Sequence, residues 1–154
     1  MTIEDDIALL EQVPILRRLG DAALRILAIG AESLPVGRGE VLFRAGDAAD
    51  CAYVVQWGSL ALEPGPPGEN GLVAGAGTLL GESALLAETK RPATATARED
   101  SAVMRISRAM FLKMLEGYPE AAVRLREAIA ARTDQWAREI ENVRAALTRS
   151  RPPR

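Results

Sequence analysis

The chain has 154 residues, 48% of them apolar and 26% charged, with a formal net charge of −2. That suits one domain with its own core, and it offers no global field to draw in nucleic acid or anionic lipid. With one cysteine, Cys51, and no histidine, an intrachain disulfide, a cysteine-based zinc site, imidazole metal ligation and Ser-His-Asp or Cys-His catalysis are excluded. No run of about eighteen apolar residues is present to span a bilayer. The acidic start, MTIEDDIALL, lacks the basic flank of a signal peptide, so a reduced, cytoplasmic compartment is expected.

In chain order, residues 3–12 and 14–29 read as helices separated by Pro14, with Asp21 as an N-cap and Leu24, Leu27 and Ala28 at helical spacing. Beyond residue 36 the texture changes. Glycines 37, 39, 46 and 58 punctuate short segments such as VLF and AYVVQW. In the latter, Tyr53, Val55 and Trp57 alternate with Ala52, Val54 and Gln56, the period of a strand. EPGPPGENG, 63–71, reads as a turn or exposed loop. LVAGAG, TATA and AVMRI continue the strand texture, and the whole middle suggests a small antiparallel sandwich or barrel.

From Ser107 the pattern is helical again, with Met110, Phe111, Met114 and Leu115 on one side and Gly117 as a stop. Pro119 then opens a long helix at its first turn. That helix is expected to run to about Thr148, roughly 45 Å at 1.5 Å per residue. Its stripe of Leu125, Ile129, Trp136, Ile140, Val143 and Leu147 is more than so small a β domain can cover, which predicts a second copy as its partner. The tail beyond it is basic, with Arg149, Arg151 and Arg154 and no acid, and reads as a solvated end.

One stretch carries chemistry: GESALLAETKRPATATA, residues 81–97. The glycines at 75, 77 and 81 are not a dinucleotide fingerprint, because the third comes one place too late and no βαβ unit surrounds it. Glu82 and Glu88 have no further support as a catalytic carboxylate pair. A better physical reading starts from Gly81, which lets the backbone approach a ligand closely. A short helix beginning there would aim the N–H groups of Ser83 and Ala84 at an anion, and Arg91 can return to the same anion with a bidentate fork. Glu82 then suits sugar hydroxyls. The competing reading is a turn with solvated charges.

The segment G81-E82-S83-A84-L85-L86 followed by R91-P92-A93-T94 and Ala97 resembles the phosphate-binding cassette of cyclic nucleotide-binding domains. The resemblance extends upstream through G39-E40-V41-L42-F43-R44-A45-G46-D47, A52-Y53-V54-V55 and Gly58 to L10-E11-Q12-V13-P14-I15-L16, and covers about residues 7–148. It implies a mainly β fold, an eight-stranded jelly roll with helices before it and a long helix after it. By position it implies that Gly81 allows close backbone approach and Glu82 accepts the ribose 2′-hydroxyl. Ser83 and Ala84 would present amides to the cyclic phosphate, Arg91 would pair with its exocyclic oxygens, and the Ala93 amide would lie nearby. Pro92 departs from the family pattern, having neither N–H nor hydroxyl, and leans the choice toward cAMP over cGMP. Trp136, on the stripe of the long helix, reads either as a dimer-interface or core anchor or, as the resemblance implies, as a lid that closes over the base with Arg132 beside it.

The expected organisation is 1–118 for the leading helices, jelly roll and hinge helix, 119–148 for a lid and dimerisation helix, and 149–154 for a basic tail. No catalytic constellation and no cofactor are expected, and no room for a DNA-binding domain remains before Arg154. The chain therefore reads as a homodimeric cyclic-nucleotide sensor that acts on a protein partner. The alternative is an interaction module on the same fold that binds no nucleotide.

Overall fold

The computed structural model describes residues 2–63, 72–131 and 145. Three helices lead: α1 (Ile3–Glu11), α2 (Pro14–Arg17) and α3 (Asp21–Gly30). Thr2 caps α1 in a capping box with Asp5, whose carboxylate accepts from the Thr2 amide while the Thr2 hydroxyl accepts from the Asp5 amide. The single helix expected over 14–29 is two. Gly20 sits between them at φ 91°, a left-handed conformation no helix can carry through, so Gly20 rather than Asp21 occupies the cap position of α3.

Ten strands follow among the described residues: β1 (Glu32–Val36), β2 (Val41–Phe43), β3 (Ala48–Ala49), β4 (Cys51–Trp57), β5 (Ser59–Glu63), β6 (Leu72–Gly75), β7 (Leu79–Leu80), β8 (Thr89–Lys90), β9 (Thr94–Ala97) and β10 (Ser101–Ser107). Eight form two antiparallel four-stranded sheets, ordered β1-β10-β4-β7 and β2-β9-β5-β6, and β3 pairs with β8 in a separate two-stranded ribbon. The eight-stranded jelly roll is therefore present, with the ribbon added. Pro35 is accommodated because β1 is an edge strand. LVAGAG is a strand only as far as Gly75, after which the chain turns through Gly77 into β7.

Strand alternation builds two cores. Along β4, Cys51, Tyr53 and Val55 point between the sheets, where they meet Leu60, Leu80 and Val103. Ala52 and Val54 point outward, under the helices, beside Met104, Ile106, Leu10, Leu27 and Phe111. A strand buried on both faces reads as a continuous apolar run, which is why CAYVV has no polar position until Gln56.

Helix α4 (Arg108–Gly117) is capped by the Ser107 hydroxyl, which accepts from the Met110 amide at 3.2 Å, and it ends at Gly117. A fifth helix, α5, is described from 119 to 131. Its first apolar positions, Ala121, Leu125 and Ala128, are buried within the chain itself. The stripe thus begins as part of the domain core and not as a face needing a partner. The remainder of the expected helix, Trp136 and the lower stripe included, lies outside the described residues. No helix among the described residues is long and apolar enough to cross a membrane.

Phe111 is 1% exposed at the centre of the helical core, so Phe111→Ala is expected to cost about 3–5 kcal/mol, read as a lowered urea midpoint at unchanged slope. Tyr53 gives a second expectation. Burial between the sheets pushes its phenol up to about 12, the neighbouring Cys51 thiol acting the same way and Arg91 and Arg105 opposing. The folded value is above the unfolded one, about 10, so the contribution to stability is complete below pH ~10 and is lost as pH rises toward 12. The difference in 295 nm absorbance between wild type and Tyr53→Phe should titrate near pH 12, and a midpoint near 10 would contradict this burial.

Candidate functional site

The stretch from Gly81 to Arg91 leaves β7, makes one 3-10 turn over Glu82–Leu85 and returns as β8. Gly81 has φ 81° and ψ 37°, in the left-handed region. A Cβ at this position would collide with Nη1 of Arg91 and lie 3.4 Å from the Cys51 carbonyl oxygen. Glycine is thus required twice over, by its dihedrals and by the guanidinium against it. The apolar middle of the stretch has a structural role. Ala84 and Leu85 are buried, Leu85 in the core beneath the helices, and they pin the turn to the domain.

Arg91 is set by backbone. Its N–H donates to the Asp47 carbonyl at 2.8 Å, and its carbonyl accepts from the Gly46 N–H at 2.8 Å. The turn carrying Gly46 is closed by the Asp47 carboxylate, which accepts from the Arg44 N–H at 3.0 Å. Backbone held in this way delivers the side chain into the interior of the roll, where it is 5% exposed. Nη2 donates to the Cys51 carbonyl at 2.8 Å and contacts the Cys51 Sγ at 3.2 Å. The guanidinium carbon lies 4.5 Å from the ring centre of Phe43 and 5.4 Å from that of Tyr53. Nη1 is buried and, among the described residues, has no hydrogen-bond partner. Among the described residues no carboxylate comes within ion-pair distance of Arg91.

The sequence expectations are met unevenly. Gly81 and Arg91 are brought together, and the turn does begin just after Gly81. The Ala84 amide is not available to a ligand, because it donates to the Gly81 carbonyl at 3.0 Å in closing the turn. A 3-10 turn satisfies its third N–H where an α-helix would leave it open. The turn's own hydrogen bonds do not engage the Ser83 amide, and Ser83 is exposed. The bidentate fork expected of Arg91 is half committed, since Nη2 is held by Cys51. Glu82 opens on another side, onto a cleft of about 590 Å³ between α2 and α5 that Val13, Arg18, Thr78 and Ala128 also line. Pro92 is exposed and Ala93 half-buried beside the arginine. Arg132 and Trp136 lie outside the described residues.

Three residues were missed by the sequence reading: Cys51, Phe43 and Tyr53. The strand period places Cys51 and Tyr53 on one face of β4, but no pattern in the sequence says that Arg91 enters that face. Cys51 is buried, and both its carbonyl and its sulfur accept from the guanidinium. Among the described residues no group of three or more metal-ligating side chains comes together.

Comparison with known proteins agrees with this geometry. The sequence model of the cyclic nucleotide-binding domain matches residues 34–118. An uncharacterised NTE family protein of Mycobacterium tuberculosis is 32% identical over 143 residues, which are 93% of this chain and 23% of that protein. The chain thus spans less than a quarter of that relative. A cyclic nucleotide-binding-like protein of Brucella abortus is 41% identical over 73% of this chain and 98% of its own, with a TM-score of 0.66. The N-terminal domain of a transcriptional regulator from Streptomyces coelicolor superposes with a TM-score of 0.79 at 30% identity, covering 86% of this chain and 94% of its own. A family match over more than half the chain, an eight-stranded roll, and a left-handed glycine set against a buried arginine agree: this chain belongs to the cyclic nucleotide-binding domain family.

Proposed function

We propose that the chain is a cyclic-nucleotide sensor that binds cAMP between the turn at Gly81 and Arg91. The observation that supports this most is the Nη1 of Arg91, a buried cationic nitrogen with no partner, pressed against the glycine of the cassette. A buried cation of this kind is costly unless something anionic meets it, and a cyclic phosphate monoanion has the right charge and size. Nη1 and the Ser83 amide would hold the phosphate, and Glu82 would turn from its cleft to accept the ribose 2′-hydroxyl. Pro92 supplies no hydrogen bond to a guanine, which favours cAMP over cGMP.

The output is proposed to run through residues 119–148. The helix begins inside the domain core at Ala121 and Leu125, so a change at the cassette can reach it through packed atoms. Beyond the described residues Trp136 would lie over the base with Arg132 beside it, and the lower stripe would pair with a second copy in a homodimer. A protein partner would read the change. We assign the chain no enzymatic activity of its own.

Calorimetric titration should show saturable cAMP binding, weaker cGMP binding, and a loss of about tenfold or more in Arg91→Ala, the usual cost of removing a charge-assisted bond. No heat and no thermal shift at millimolar cAMP would sink the sensor reading in favour of a non-binding interaction module. Trp136 has its own test. As a lid it stacks on adenine, worth roughly 1–3 kcal/mol, so Trp136→Ala should weaken cAMP about tenfold while light scattering still reports a dimer. In a Trp57→Phe background, cAMP should change the tryptophan emission. Dissociation of the dimer at unchanged affinity per protomer would make Trp136 an interface anchor instead.

A further inference from the structure

A buried arginine is ordinarily met by a carboxylate, which fixes its geometry and cancels its charge. Arg91 is 95% removed from solvent, since 5% of it is exposed, and among the described residues it has no such partner. Two aromatic rings stand there instead. Phe43 comes from the end of β2 and Tyr53 from the middle of β4, so the pair bridges the two sheets. Their ring centres are 5.9 Å apart and their planes 19° from parallel. The guanidinium lies within cation–π range of both, at 4.5 and 5.4 Å.

The chemistry of that exchange is specific. A carboxylate would occupy the guanidinium nitrogens and neutralise the charge, leaving little for an incoming anion. The π faces attract the cation through their quadrupoles and take up none of its N–H groups. Nη2 is held by Cys51 while Nη1 remains unpaired. Arg91 is thus oriented without being neutralised.

We infer that Phe43 and Tyr53 are positioning residues of the anion site: the stacked pair holds the Arg91 guanidinium in place of a carboxylate, so that its charge is kept for the phosphate of the ligand. This deepens the nucleotide-binding reading and rests on it for its functional half. The structural half stands alone and is measurable without ligand.

The experiment has two arms. In the first, cAMP affinity is measured by calorimetry for wild type, Phe43→Leu, Tyr53→Leu, the conservative Phe43→Tyr and Tyr53→Phe, and Phe43→Glu. The leucine variants should weaken binding about fivefold or more, with the aromatic replacements within about twofold of wild type, since the π face and not the volume is what acts. Phe43→Glu should abolish binding while the thermal midpoint holds or rises, because a carboxylate now neutralises Arg91. A protein held together only by ring packing would instead lose midpoint in Phe43→Glu. The second arm is a double-mutant cycle in urea on the ligand-free chain. Arg91→Met should change the folding constant at least about fivefold more favourably in the Phe43→Leu, Tyr53→Leu background than in wild type, where the rings still compensate the cation. The same factor in both backgrounds overturns the aromatic cradle whether or not cAMP binds. A wild type that shows the coupling and ignores cAMP defeats the nucleotide reading and the functional half of the inference, and leaves the cradle itself. Leucine variants that bind cAMP as wild type does would remove its role in affinity.

Discussion

Everything around the cassette depends on one buried cation. Taking a guanidinium out of water costs several kcal/mol even after relaxation, and few arrangements tolerate it unpaired. Here the cost is offset in pieces, by the Cys51 carbonyl and sulfur on Nη2 and by two aromatic rings whose centres lie 4.5 and 5.4 Å from the guanidinium carbon, while backbone bonds to Asp47 and Gly46 hold the residue in place. Nη1 has no hydrogen-bond partner among the described residues. The rest of the fold is arranged so that Arg91 stays put. Gly81 leaves room for Nη1, the turn at Gly46 and Asp47 fixes the chain entering β9, and β4 carries Cys51 and Tyr53 to the same side.

That strand is also what joins the site to the helices. From Cys51 to Val55, alternate residues of β4 face the roll interior and the others face the helical core. A close-packed strand cannot shift one face without the other. Leu85 adds a second link, because the turn that closes over Arg91 is plugged into the same helical core as Leu27, Phe111 and Leu125. The turn beside Arg91 and the start of α5 therefore pack into one core.

Much of this was legible in the residues. Spacing and alternation alone gave the helix–β–helix order, the strand character of AYVVQW, the stop at Gly117 and the helix start at Pro119. Short strands escaped for physical reasons. ESLPV contains a proline that is tolerated only because β1 lies at an edge, and the two-residue strands β3, β7 and β8 are too short to show a period. Gly20 was passed over because a glycine within a helical pattern is often tolerated, and its φ of 91° is a tertiary fact. At the site, Gly81 and Arg91 could be paired from their setting in the sequence. Phe43, Cys51 and Tyr53 could not, since they lie 48, 40 and 38 residues before Arg91 and only sheet pairing brings them to it. Whether Glu82 faced the same ligand pocket could not be read either, because a turn of one residue more or less re-aims it.

The far end of the cassette shows how a change there would be transmitted. Arg108, the first residue of α4, donates from Nη1 to three carbonyls: Ala87 at 2.9 Å, Ala49 at 3.2 Å and Ala84 at 3.4 Å. Two of those oxygens belong to the turn and its exit, and the third to β3. Its own amide donates to the Asp50 carbonyl at 2.8 Å. One side chain thus ties the cassette, the ribbon and α4 together, with a cation placed where the 3-10 turn leaves its last carbonyls open. A ligand that tightens the turn around a phosphate must either break these bonds or carry the first turn of α4 with it. Tyr118, at φ −132° and ψ 76°, is the one non-helical residue between α4 and α5, so a shift of α4 would reach α5 across a single joint, whereas breaking the bonds would cost several hydrogen bonds of roughly 1 kcal/mol each. Carrying the helix would keep those bonds, and it is the course by which the proposed binding at Arg91 would reach residue 119.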